Sequence, residues 1–172
     1  MLLSIIEYMR EKNIRLKKQE LYRIKKEIVD EVGDTEFSDD YMNRVLKDTK
    51  SDFFIYYMGD QIENHDELCG FCIVRKIESD KKHRAFVLSL IVVKKVLRGN
   101  GYGTTIFKTL IDKLSNNTTK DLIIYTHSLE ESSIFYERLG FKKTDYVCGY
   151  IEDIDNIQET DIILEYTKNS LS

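Results

Sequence analysis

The 172-residue chain contains no proline, where average usage of roughly 5% would give about nine. Tryptophan is also absent, and glycine is held to eight residues. These absences exclude collagen-like, proline-rich linker and mucin-like classes. Alanine is reduced to Ala85 against twenty isoleucines. No apolar run approaches the ~18 residues of a membrane-spanning helix, so no membrane partner is expected. Met1–Ile6 is apolar, but no basic stretch precedes it and Glu7 and Arg10 soon interrupt it. It does not read as a secretion signal, and an intracellular, cytoplasmic or nuclear setting is expected.

Cysteine is scarce as well. Cys69, Cys72 and Cys148 are an odd number, so reduced thiols are expected rather than a disulfide framework. Cys69-Gly-Phe-Cys72 has C-x-x-C spacing but lies in Leu68–Ile77, which reads as a strand. Residues three apart in a strand point to opposite faces, so the two sulfurs do not converge on a metal. No metal site is expected.

Charged residues make up 33% and apolar residues 42%, the balance of a soluble chain with a sizeable core. The length suits one domain spanning 1–172. The net charge of −4 does not by itself indicate direct nucleic-acid binding. Its distribution is uneven, with eight bases against two acids over Arg10–Lys26 and six acids without a base over Glu152–Glu165.

Periodicity predicts a helix over 17–32, closed by Gly33, and a second from Ser38 that buries Met42, Val45 and Leu46. Strands follow at 52–58 and 68–77, with a turn at Gly59-Asp60 between them. Ala85–Val93 is the most apolar stretch and is expected at the sheet centre. A long helix then turns Ile106, Phe107, Leu110, Ile111 and Leu114 inward, and Asp121–His127 reads as a strand. Ser128–Glu131 has the form of a capping box, and the helix it opens closes at Gly140. Final strands are expected near 143–151 and 161–167, and residues 1–12 lean towards a helix. The order predicts an α/β (α+β) fold with a mixed sheet and surrounding helices.

The most informative segment runs from the apolar strand through Arg98-Gly99-Asn100-Gly101-Tyr102-Gly103-Thr104 into a helix. Glycines let successive N–H groups converge, and the helix start adds unsatisfied donors and a positive dipole end. That pattern makes an anion site suited to a pyrophosphate, with Arg98 at its mouth. The Walker spacing is absent, and Thr104 stands where a dinucleotide fingerprint needs its third glycine.

Arg-x-x-Gly-x-Gly between strand and helix resembles the acyl-CoA loop of the GNAT N-acetyltransferase superfamily. Phe135-Tyr136-Glu-Arg-Leu-Gly140-Phe141 matches that superfamily's helix–Gly-Phe signature. Asp40–Val45, Gly101–Thr104 and Gly149–Asp153 are similar in wording to the histone lysine acetyltransferases of the general-control and PCAF branch. The likeness covers roughly 36–167, and Ile14-Arg15-Leu16 is an alternative first strand. It implies a mostly antiparallel central sheet, splayed at the acyl-CoA site, with helices on both sides.

The resemblance also implies roles. Acetyl-CoA would be the co-substrate. The backbones of Ile91, Val92 and Val93 would pair with its pantetheine arm, and the amides of Arg98, Gly99, Asn100, Gly101, Tyr102, Gly103 and Thr104 would hold its pyrophosphate. Tyr136 falls where many members carry a tyrosine that donates to the leaving thiolate, although the histone branch usually has phenylalanine there. The glutamate base of the histone branch is replaced by Val87, and the alternative position two residues on holds Ser89. A water chain ending on Glu78, Asp80 or His83, a substrate amine of lower pKa, lost catalysis, or His127 remain open. Many members also place a proline three residues before the loop arginine, where this chain has Lys95. The splay is then expected to depend on a bulge in Ile91–Lys95 or on CoA itself.

The activity implied is acetyl transfer to a primary amine by direct attack, most readily to a protein lysine in a basic tail. The acid run Glu152–Glu165 suits such a partner. A small-molecule amine acceptor and a non-catalytic acyl-CoA-binding module are the alternatives. Either a monomer or a homodimer is compatible with the sequence.

Overall fold

The computed structural model describes residues 2–4, 50–57, 68–77, 81–116, 118–145 and 162–169. The expected helices at 17–32 and from Ser38, Ile14–Leu16, the Gly59-Asp60 turn, Glu78, Asp80 and Cys148 lie outside them. The chain divides into two compact units, Met1–Ile73 with Leu90–Leu110, and Val74–Ser89 with Ile111–Ser172.

In the first unit, β1 (Leu2–Ser4) runs antiparallel to β2 (Ser51–Tyr57), with Leu2 opposite Tyr56 and Ser4 opposite Phe54. The helical leaning of residues 1–12 is therefore corrected at Leu2–Ser4. An open sheet edge offers an apolar segment a row of backbone partners, which outweighs weak local preference. Beside β2 lies the start of β3 (Leu68–Lys76), and beside β3 the end of β4 (His83–Val93). Cys69, Phe71 and Cys72 are fully buried, so this strand packs on both faces. Both thiols are unbridged, and burial pushes the Cys72 thiol pKa far up. A thiol held in its neutral form is a core group and not a nucleophile.

In the second unit, the Ile77 amide donates to the Ala85 carbonyl at 3.1 Å, and β4 runs parallel to β5 (Asp121–Ser128). Antiparallel to β5 lies β7 (Ile162–Lys168), which also pairs antiparallel with β6 (Lys142–Lys143). With β4–β5 its one parallel pair among those described, the sheet is mixed and mostly antiparallel, as expected. Ile77, Ala85, Val87 and Tyr125 form a core cluster on which Ile123 and Ile163 pack.

The helix after β4, α1 (Tyr102–Ser115), buries all five residues expected of it, namely Ile106, Phe107, Leu110, Ile111 and Leu114. In the second unit, α2 (Glu130–Arg138) follows β5 directly. Its end is a Schellman motif: the Gly140 amide donates to the Glu137 carbonyl and the Phe141 amide to the Tyr136 carbonyl, with Gly140 at φ 97°. Its start corrects the capping-box reading. Strand β5 runs on through Ser128, so Leu129 is the N-cap and the Ser128 hydroxyl donates to the Leu129 carbonyl instead. Glu130 and Glu131 in the first turn oppose the helix dipole in place of a side-chain cap.

A bulge separates the two ends of the β3–β4 pairing. The Lys94 amide donates to the Cys69 carbonyl at 2.8 Å, and the Ile77 amide to that of Ala85. Between these bonds β3 advances eight residues (69 to 77) and β4 nine (85 to 94). A constant antiparallel register would give equal counts, so β4 carries one extra residue. The extra residue lies within Ala85–Lys94, a stretch that overlaps the expected Ile91–Lys95.

Candidate functional site

After Val93 the chain leaves the strand through a 3-10 turn, Lys95–Leu97. The Leu97 and Arg98 amides donate to the Lys94 and Lys95 carbonyls. Gly99 and Gly101 then take φ values of 79° and 80°, a region that side-chain-bearing residues rarely adopt. An added β-carbon at either glycine meets nothing within 4 Å, so the turn is open to solvent on that side. The Asn100 side-chain nitrogen donates to the Leu97 and Arg98 carbonyls, bracing the turn from within.

Helix α1 begins with the Thr105 amide donating to the Gly101 carbonyl at 3.0 Å. The amides of the residues before Thr105 have no intrahelical acceptor. The first turn carries no acid to offset the dipole. The Arg98 Nε donates to the Val93 carbonyl at 3.1 Å, which ties the guanidinium to the end of β4. A helix start without an acid in its first turn and a tethered cation on an open glycine turn have the chemistry that suits a pyrophosphate. Arg98, Gly99, Asn100, Gly101, Tyr102, Gly103 and Thr104 are continuous in the turn and first helical residues, and Ile91–Val93, all part-exposed, precede them at the end of β4.

In the second unit the β4–β5 register ends at Val87↔Tyr125, although β5 continues to Ser128. Just past that last rung, the Thr126 hydroxyl donates to the Leu88 carbonyl at 2.8 Å, in buried surroundings. No sequence pattern marked Thr126, because a threonine in a strand is ordinary and only its cross-strand bond distinguishes it.

Tyr136 is buried on α2, with 8% exposure. Its ring meets the edges of Phe135 at 5.2 Å and Phe141 at 5.4 Å, and Phe141 in turn meets Tyr166. Val87 lies in the apolar cluster at 2% exposure. Among the described residues, no group of three or more His, Cys, Asp and Glu side chains forms a metal-binding cluster, and no helix is long and apolar enough to cross a membrane.

A mostly antiparallel sheet with one parallel pair, and a glycine turn leading into a helix, fit the fold of the acetyltransferase class. The family model described as "Acetyltransferase (GNAT) domain" matches residues 16–149. The chain belongs to this family: it is a GNAT acetyltransferase.

Solved structures share the fold. The chain is similar to Tetrahymena GCN5 at 12% identity and a TM-score of 0.62, over 90% of each chain. It is similar to a GNAT family acetyltransferase from Elizabethkingia anophelis with acetyl-CoA bound, at 22% identity and a TM-score of 0.51, over 78% of this chain and 84% of that one. It is also similar to Arabidopsis thaliana NAA60 in complex with a bisubstrate analogue, at 12% identity and a TM-score of 0.57, over 87% and 95%. No curated protein matches the chain in sequence.

Proposed function

We propose that the protein transfers acetyl from acetyl-CoA to a primary amine by direct attack, with a protein lysine in a basic segment as acceptor and residues 1–172 acting as one domain. The observation that carries this reading is the braced turn Arg98–Thr104, with Gly99 and Gly101 at positive φ and no acid in the first helical turn. Its amides bind the pyrophosphate, and the Ile91, Val92 and Val93 backbones pair with the pantetheine arm. Tyr136 donates a hydrogen bond to the leaving thiolate: an unperturbed tyrosine (~10) keeps its proton at neutral pH and so is available as a donor. Because a thiol (~8.5) is the stronger acid, the role is to stabilise the developing thiolate charge, with full proton transfer uphill.

The attacking amine must lose a proton, and buried Val87 cannot take it. Strand alternation puts Tyr125, His127, Glu165 and Lys142 on the Val87 face within one rung of the last β4–β5 pair. Histidine is the one of these types that ordinarily titrates near neutrality, so His127 is the proton acceptor we assign. The acids of Glu152–Glu165 favour a cationic acceptor. A small amine is the second reading, favoured by the same apolar Val87. No nucleic acid or membrane enters the reaction, and one copy of the chain holds every residue named.

The test is release of free CoA from acetyl-CoA with histone-tail peptides, beside polyamines and aminoglycosides. Lysine-acetylated peptide by mass spectrometry is expected. Release with small amines alone transfers the assignment to the second reading, and no release with any acceptor overturns both.

A further inference from the structure

Asn100 stands between two glycines in the left-handed region, Gly99 at φ 79° and Gly101 at φ 80°. Where a β-carbon would project from either glycine nothing lies within 4 Å, so packing does not hold the turn on that side. Glycine also loses more conformational freedom than any other residue when it is fixed. The Asn100 side chain supplies a restraint. Its Nδ2 donates to the Leu97 and the Arg98 carbonyls, each at 3.2 Å.

A trans peptide group is planar, with its carbonyl and its amide hydrogen pointing opposite ways. Holding the Arg98 carbonyl on the Asn100 side therefore turns the Gly99 amide to the other side. Among the described residues, none accepts from that amide. The Arg98 amide, by contrast, donates to the Lys95 carbonyl at 3.2 Å and is spent within the 3-10 turn. The amide whose direction Asn100 sets is thus one that remains open to a ligand.

We propose that Asn100 is a positioning residue for acetyl-CoA: its side-chain amide holds the Arg98 carbonyl and so aims the Gly99 amide at the pyrophosphate before the co-substrate arrives. This rests on the acetyltransferase reading above and on its assignment of the pyrophosphate to Arg98–Thr104. Lys95 to Gly101 lie in the first compact unit, so the device is complete within one turn. A turn already held in its binding form leaves less ordering to be done when the ligand binds.

The experiment is Asn100→Ala, which removes both bonds and adds no charge. Binding of acetyl-CoA to the unaltered protein is read first by calorimetry; its absence overturns the parent reading and this one with it. Given binding, Asn100→Ala is expected to raise KM for acetyl-CoA roughly tenfold with kcat within about threefold. The preference in kcat/KM for acetyl-CoA over S-acetylpantetheine, which has no pyrophosphate, should fall by the same factor. A side chain that merely stabilises the fold would lower Tm, or depress both co-substrates in proportion, and leave that preference unchanged. An unchanged preference overturns this proposal alone. Should Asn100→Ala not fold, Asn100→Leu, of similar shape and without the donors, takes its place with the same overturning result.

Discussion

The backbone of Gly70 lies against the Val92 carbonyl so closely that a β-carbon on Gly70 would sit 2.2 Å from the Val92 oxygen and 2.9 Å from Ile106 Cδ1. One obstacle is backbone and cannot swing aside. The Val92 carbonyl therefore lies directly over the Gly70 position of β3.

Gly70→Ala should accordingly disturb both stability and cofactor affinity. Overpacking of this kind costs about 1–3 kcal/mol, or roughly 3–10 °C in Tm for a chain of this size. Because the Val92 backbone is assigned to pantetheine, the Kd for acetyl-CoA should weaken about tenfold. Calorimetry beside a thermal melt checks this, and an unchanged Kd would remove Val92 from the slot.

Gly101→Glu should separate the two effects. Nothing lies within 4 Å of an added β-carbon there, so the cost to folding is limited to the strain of φ 80°, about 1–2 kcal/mol. A carboxylate at the pyrophosphate cradle should nonetheless abolish CoA binding, while Gly101→Ala retains part of it. Equal affinities for the two variants would contradict the cradle.

Tyr136→Phe keeps the ring that packs on Phe135 and Phe141. We expect Tm within a degree or two of the parent and kcat lower by about 10²-fold, the usual scale for loss of one charge-stabilising donor. Unchanged turnover would make Tyr136 a packing residue alone. His127→Gln should lower kcat/KM by a similar factor and flatten the acid limb of its pH profile; a retained limb would dismiss His127 as the base.

Alkaline pH should destabilise the protein. Burial raises the pKa of Tyr56, with Cys69 and Tyr102 adding to it, and of Tyr166, with Asp112 adding to it; burial alone raises that of Cys72. Each group holds its proton in the folded chain to a higher pH than in the unfolded one. The unfolded chain therefore binds fewer protons above pH ~9–10, and the slope of stability with pH is negative there. Urea midpoints should be flat from pH 7 to about 8.5 and fall beyond it. Midpoints that hold through pH 11 would contradict the burial of these groups.

The strand–turn–helix at Arg98 was legible because its glycines and charge pattern are local. The inward face of α1 was legible because helical period needs no knowledge of the partner. The capping box failed because β5 claimed Ser128 for the sheet, and Leu2–Ser4 became strand because β2 offered an edge. Both outcomes depend on segments distant in sequence.

The sequence alone thus determined the strand–turn–helix at Arg98, the core faces and the GNAT wording, since each is written in neighbouring residues. It also left the missing proline unexplained. Only the tertiary structure decided which groups meet across strands: the Lys94 amide on the Cys69 carbonyl, the Val92 carbonyl packed over Gly70, and the Thr126 hydroxyl on the Leu88 carbonyl. These are cross-strand relations, fixed by register, and register exists only once the strands have met.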